Sequence, residues 1–539
     1  MTTPEPCPVT TADVLARAAA VVPDVESVVC DGDRVTYGQL RDRVARAQRV
    51  LKDLGVGHGT RVALCFGNSA RWMELFYAVT GLGAVAIPVN TRYRADELAY
   101  ALRQSRASLL ITADRVLSTD VMGMLRERIP ELEHALPGAD FPELRHVCCD
   151  TTDRSAVPPG ASSWPELLRR VPAAGAELIH SAAPDDIALV QYTSGTTARP
   201  KGVLLTHRGM CLNAWHSGLR MGLRAADRFH SVRPFFHVAG STLSVLASAQ
   251  HHTTLVTMPR FEPGRALEVM ETERCTHFSG NDTIALMLLD HPDRPHRRLA
   301  LRGAWVAASS TVVRRVADEL GAAEVVVGYG LSEASPNVAQ SAWWEPAEVR
   351  LSGAMLPEPG VRVRLRDRAT GESPPAGHTG AIEVNGWNVM RGYLDDASAT
   401  AEALDADGWL RTGDLGRFDD TGRLYFVGRD KEIIRVGGEN VAPSEVEDLL
   451  LQHPEVLQAA VVAVPDQRLI EVPFAFVRVR ETAGCDETDL LEWARQRIAS
   501  FKVPRYVRIV EDFAEVGMTA SSKIQKHRLA AIAEELVRT

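Results

Sequence analysis

Leu40, Val44, Ala47, Val50, Leu51 and Leu54 repeat at the spacing of one helix face, and Gly55 follows as a C-terminal stop. The apolar run Arg61–Phe66 predicts a short strand. A helix over Ser69–Leu82, a strand over Ala84–Val89, a helix over Ala95–Gln104 and a strand over Ser108–Thr112 come next. Strands that alternate with helices predict parallel βαβ units, hence an α/β fold of layered sheets. Residues 150–180 carry many Pro, Ala and Ser and are expected to form an exposed connection. Gly209–Leu219 predicts a helix, and Asp227–Val232 a strand that leads into Pro234-Phe235-Phe236-His237. From about 340 to 428 short strands (Val361–Leu365, Gly380–Val384, Leu424–Val427) alternate with Gly, Pro and Asp turns, which suggests a small barrel-like subdomain. Beyond Arg429 a compact α+β unit is expected: helix Pro443–Leu451, strands Leu457–Val464 and Phe474–Arg480, helix Glu487–Ala499. The pattern divides the chain into 1–430 and 431–539, as its 539 residues also suggest, being too many for one ordinary core.

The densest polar stretch lies between two apolar runs, Ile187–Val190 and Val203–Leu205. It reads Gln191-Tyr192-Thr193-Ser194-Gly195-Thr196-Thr197-Ala198-Arg199-Pro200-Lys201-Gly202. Glycine permits close backbone approach, successive amides can cradle an anion, and the hydroxyls with Lys201 add donors. A polyphosphate is the natural guest, although the Walker spacing is absent. Gly328-Tyr329-Gly330-Leu331-Ser332-Glu333 follows the apolar strand Glu324–Val327. There a ring between two glycines can lie against a base, and a carboxylate can hold a magnesium ion. Trp409-Leu410-Arg411-Thr412-Gly413-Asp414 ends in a carboxylate able to accept from two sugar hydroxyls.

A net charge of −9 leaves no basic surface and argues against nucleic acid. The eight cysteines show no Cys-x-x-Cys pair, so they read as free thiols in a reducing compartment. Met1–Thr10 is unlike a signal peptide and no apolar run reaches membrane-spanning length, which predicts a cytoplasmic protein without membrane contact. No repeat and no carrier-protein signature occurs. Only six of the 60 basic residues are lysines, a bias that fits a GC-rich bacterial genome. Three of the six, Lys201, Lys431 and Lys523, sit inside dense motifs.

These motifs, in this order, resemble those of the adenylate-forming superfamily of acyl-CoA synthetases, luciferases and peptide-synthetase adenylation domains. The resemblance spans essentially the whole chain. It implies a large adenylation domain and a small mobile C-terminal domain, with ATP, Mg2+ and coenzyme A as cofactors. Thr193, Ser194, Gly195, Thr196, Thr197 and Lys201 would bind phosphates, with Thr197 and Glu333 at the metal. Ala307, Ser309, Tyr329, Gly330 and Ser332 would meet the adenine side, Asp414 and Arg429 the ribose. Glu432 matches the hinge, and Gly438 lies in Gly437-Gly438-Glu439-Asn440-Val441, whose wording is similar to acyl-CoA synthetases and names coenzyme A. Met518-Thr519-Ala520-Ser521-Ser522-Lys523-Ile524-Gln525-Lys526 matches the terminal lysine motif, where Lys523 would neutralise charge at the reacting carboxylate. His237 matches the gate of the acyl pocket, with Ala239, Asn281, Ala308, Gly328 and Asn337 around it.

Departures from the family wording are Ala198, Ser522, Val306-Ala307-Ala308-Ser309 and Asn281-Asp282. The reading is an ATP-dependent, AMP-forming ligase that acts on a small or aromatic acid and passes it to coenzyme A. The alternative is a ligase with a non-CoA acceptor, forming an amide or activating nitrite to diazotise an arylamine in secondary metabolism. A homodimer is compatible with either.

Overall fold

A computed structural model of the chain describes residues 7–538 apart from 173–176, 194–199, 368–369, 482–483, 514–515 and 519–523. Two large sheets build the first four hundred residues. One has nine strands, with a parallel centre in the order Glu324–Gly330, Gly303–Ala307, His277–Asn281, Arg228–Ser231, Thr254–Thr257, Glu26–Cys30. The other has seven, with Ile187–Thr193 beside Val85–Pro88, then Arg61–Cys65, Leu109–Thr112 and His146–Cys149, all parallel. The expected βαβ alternation is therefore the architecture.

Two helices show why the layers stack as they do. Ala70–Gly81, N-capped by Ser69, buries every residue except Arg71. His207–Met221 is capped by Thr206 and stopped by Gly222 in the left-handed conformation, and it also buries residues on several faces. A helix apolar or small all round needs protein on all sides. Trp72, Phe76, Tyr77, Met210, Cys211 and Ala214 accordingly share one core with residues from both large sheets.

The subdomain expected to be barrel-like is an open antiparallel meander of Arg362–Arg366, Thr379–Asn385, Leu410–Phe418 and Leu424–Arg429 in that order. Its first and last strands do not pair with each other among the described residues. Four strands are too few to close around a filled interior. Residues 150–180 also differ from expectation, since Ser162–Ser163 pairs with the seven-stranded sheet and helix Trp164–Arg169 follows. One large ring decides this: Trp164 is fully buried. From Ile434 onward a five-stranded sheet carries the helices Pro443–Leu451, Glu487–Arg495 and Lys526–Arg538, around its own two cores. Among the described residues no helix is long and apolar enough to cross a membrane.

Candidate active site

The glycine-hydroxyl stretch joins two antiparallel strands, Ile187–Thr193 and Lys201–Thr206, and Thr193 pairs with Lys201 at its base. Its tip, including Ser194, Gly195, Thr196 and Thr197, lies outside the described residues. Gly202 must be small, since a Cβ there would stand 2.8 Å from Val190 Cγ1 and 3.3 Å from Leu394 Cβ. The Lys201 ammonium sits 5.1 Å from the Tyr393 ring centroid, and the Tyr393 hydroxyl donates to Glu333 Oε1 at 3.0 Å. One tyrosine thus holds the hairpin's cation on its face and the carboxylate on its hydroxyl. A cavity of about 410 Å³, lined by Lys201, Gly202, Tyr393 and Tyr100 among others, opens beside them.

Ser332 begins a short 3-10 turn, Ser332–Ala334, that carries Glu333. Before it, Gly330 leaves no room for a side chain: a Cβ would stand 2.1 Å from the Pro336 carbonyl oxygen. Between these glycines the Tyr329 hydroxyl donates to Asp414 Oδ2 at 2.8 Å. The Tyr329 ring stacks on Phe426, centroids 5.3 Å apart and planes 23° from parallel. Asp414 is cross-strand partner to Arg429, whose Nε lies 3.9 Å from Oδ1. Burial pushes the Asp414 carboxyl above its ordinary value, against the Tyr329 hydroxyl and Arg429, which pull it down. Tyr329 thereby joins the groups expected at base and sugar, and Tyr393 those expected at phosphate and metal.

The acyl-side residues are distributed differently. His237 caps the short helix Val238–Gly240, its Nδ1 accepting from the Ala239 amide at 3.2 Å. Asn281 Oδ1 caps helix Asp282–Leu289 by accepting from Ile284 N at 2.9 Å. Asn337 is buried, and its side-chain nitrogen donates to Ser217 Oγ and Gln340 Oε1. Ala307 is exposed at the end of its strand, Ala308 is half-buried, and Ser309 precedes helix Ser310–Glu319 with its hydroxyl buried and unbonded. Gly328 faces Trp305, where a Cβ would come within 2.4 Å of the indole.

The AMP-binding enzyme family matches residues 15–394, and the C-terminal domain of AMP-binding enzymes matches 445–523. The chain belongs to the AMP-binding enzymes. A putative acyl-CoA synthetase, YngI, of Bacillus subtilis is 34% identical over 533 residues, covering 96% of this chain and 95% of its own. A methyl-dioxo-octahydroindenyl propanoyl:CoA ligase of Mycobacterium tuberculosis is 35% identical over 521 residues, covering 96% and 97%. The fold matches the crystal structure of the anthranilate CoA ligase AuaEII with anthranoyl-AMP, with a TM-score of 0.86, 24% identity and 99% of each chain covered. The protein is an AMP-forming ligase of the acyl-CoA synthetase class.

In this AMP-binding enzyme the small C-terminal unit touches the large one near the sites above. Asp448 lies 3.3 Å from the Thr311 amide and 3.4 Å from Ser310 Oγ, beside Ser309. Arg92 donates to the Met518 carbonyl at 3.3 Å, one residue before the segment that leads to Lys523, itself outside the described residues. Glu432 ends the 3-10 turn Asp430–Glu432, and Lys526 Nζ lies 3.6 Å from its carboxylate and 2.8 Å from that of Glu447. Gly437 and Gly438, φ +60° and +98°, form the tip of hairpin Ile434–Val441, a two-residue turn that needs positive φ at both positions. Gly438 is exposed, with open space around a Cβ. Sequence reasoning missed Tyr393, Phe426 and Lys526. Tyr393 lies in a stretch of turns, Phe426 sits beside Tyr425 in a meander strand, and Lys526 closes the terminal lysine motif, where it was given no role of its own.

Proposed function

We propose that the protein activates a small or aromatic carboxylic acid with ATP and transfers the acyl group to coenzyme A. A carboxylate oxygen attacks the α-phosphorus of ATP, pyrophosphate leaves, and the thiolate of coenzyme A then attacks the acyl carbon and releases AMP. The Tyr329–Asp414 hydrogen bond carries this reading, because it ties the ring suited to adenine to the carboxylate suited to ribose, with Arg429 alongside. Thr193, Ser194, Gly195, Thr196, Thr197 and Lys201 hold the phosphates in this reading. Ala307, Ser309, Gly330 and Ser332 line the nucleotide, and His237 gates the acyl pocket.

Mg2+ fits Glu333: one carboxylate on a tight turn, with phosphate oxygens completing the shell, suits that ion. The ion would neutralise phosphate charge. Lys523 does the same at the reacting carboxylate. The boundary at 430/431 falls between the meander strand Leu424–Arg429 and the first strand of the small domain, Ile434–Val436, and Glu432 is the hinge between two poses. The test is pyrophosphate release across a panel of acids plus nitrite, with and without coenzyme A, with products identified by mass. CoA-dependent thioesters support the reading. With an amine or arylamine added in place of coenzyme A, amides or a diazo product would move it to the non-CoA acceptor.

A further inference from the structure

Arg233 stands immediately before Pro234, and no motif accounts for it. It is 7% exposed, and among the described residues no carboxylate pairs with it. Among the described residues its Nη1 is buried without a hydrogen-bond partner. The only interaction of its guanidinium among those residues is with the Trp305 ring, 4.0 Å from the centroid. Burial lowers its pKa to about 9, so the group stays charged at neutral pH. A cation over an aromatic face recovers only part of what burying an unpaired charge costs.

A second unsatisfied donor lies nearby. Strand register sets Ser231, Ser279 and Trp305 side by side across three neighbouring strands, so their side chains share one face. Ser279 is fully buried and its hydroxyl has no partner among the described residues, whereas the Ser231 hydroxyl is bonded to Ser244 at 2.7 Å. Ser244 belongs to a π-helical turn, Ser241–Leu246, that packs on this face, and such turns recur at functional sites. Around one indole, then, a guanidinium and a hydroxyl both lack an acceptor. The same indole fills the space in front of Gly328, the residue before Tyr329. The cluster therefore adjoins the proposed nucleotide site.

We propose that Arg233, with Ser279, binds a second carboxylate on the acid, so that the substrate is a short or aromatic dicarboxylic acid lying against Trp305. This rests on the ligase reading and deepens it. One carboxylate meets ATP, and the other supplies the missing acceptor for Arg233 Nη1.

The experiment compares glutarate and isophthalate with their own monomethyl esters, by ATP–pyrophosphate exchange and by the shift in melting temperature each ligand causes. The wild type is expected to favour each diacid over its half-ester by roughly 10- to 100-fold in kcat/KM, the range of a charge-assisted hydrogen bond. Arg233→Leu should reverse that preference, Arg233→Lys should keep part of it, and Ser279→Ala should weaken it less. Equal use of diacid and half-ester by the wild type, or the same loss on both in Arg233→Leu, overturns the proposal. Melting shifts read binding without turnover. Diacid-specific shifts without exchange keep this subsite and count against the ligase reading, whereas exchange with no preference for the diacids does the opposite.

Discussion

The proposed nucleotide end and the proposed acyl end of this site are built from different materials. At the nucleotide end, Tyr329, Glu333, Asp414 and Arg429 stand at strand ends and turns, already linked by hydrogen bonds or close ion contact. At the proposed acyl end, register aligns Ser231, Ser279 and Trp305 within the sheet, Arg233 stands just beyond its strand, and Arg233 Nη1 and the Ser279 hydroxyl have no partner among the described residues. The described groups of the first end are tied to one another, as would suit the nucleotide that this reading assigns to it. The second waits for an acceptor, as suits the part that differs from one acid to the next. Buried unsatisfied donors are costly, and in the proposed reading their persistence marks the place that reads the acid.

The comparison can be broken most severely at Lys523. Lys523→Ala should reduce adenylate formation by roughly 100- to 1000-fold, the scale for removing one charge-stabilising donor, while thioester formation from a supplied acyl-adenylate persists. Measuring each half-reaction separately checks it, and equal loss of both would mean that the small domain does not alternate. Next in size is Gly328→Val. Its side chain must displace the Trp305 indole, so acid turnover should fall steeply and the melting temperature should drop, consistent with roughly 1–3 kcal/mol of overpacking. The KM for ATP should change far less, which would keep the two ends distinct.

Asp414→Ala should raise the KM for ATP by roughly 10- to 100-fold, the loss of a charged hydrogen-bond partner, with little effect on the preference among acids. The pH dependence follows from the same carboxylate. Its raised pKa means that it protonates at a higher pH than an ordinary aspartate, and only the ionised form accepts from both ribose hydroxyls. ATP affinity should accordingly fall on acidification at a pH above the usual aspartate range, and Asp414→Asn should abolish that limb. The smallest effect is expected at Lys526→Met. Losing its contacts with Glu432 and Glu447 frees the hinge, and the rate of the second half-reaction should change by only a few-fold. A change confined to adenylation would place Lys526 outside the hinge.

How much of this was legible in the sequence divides along the same line. Loop chemistry is written locally: two glycines around Tyr329, or a Thr-Gly-Asp turn, announce themselves because backbone approach and turn geometry demand those residues. The alternation of strands and helices was legible for the same reason, since periodicity is local too. The open meander and the buried Trp164 were not, because closure and burial depend on partners distant in the chain. Arg233 belongs with these. Trp305, which its guanidinium meets, is 72 positions away in sequence, and strand register then sets Ser279 beside that indole. Tyr393 illustrates the mixed case, a single aromatic whose ring faces Lys201 and whose hydroxyl faces Glu333, from a stretch that reads only as turns.

The central claim is that one carboxylate is activated by AMP transfer and then handed to a thiol. It is tested most directly by following a single incubation of enzyme, ATP, coenzyme A and an acid that supports pyrophosphate exchange, and quantifying every product by mass. The account predicts AMP, pyrophosphate and acyl-CoA in equal amounts, with acyl-adenylate accumulating when coenzyme A is left out. Formation of ADP and phosphate, or an adenylate that coenzyme A fails to discharge, would contradict it.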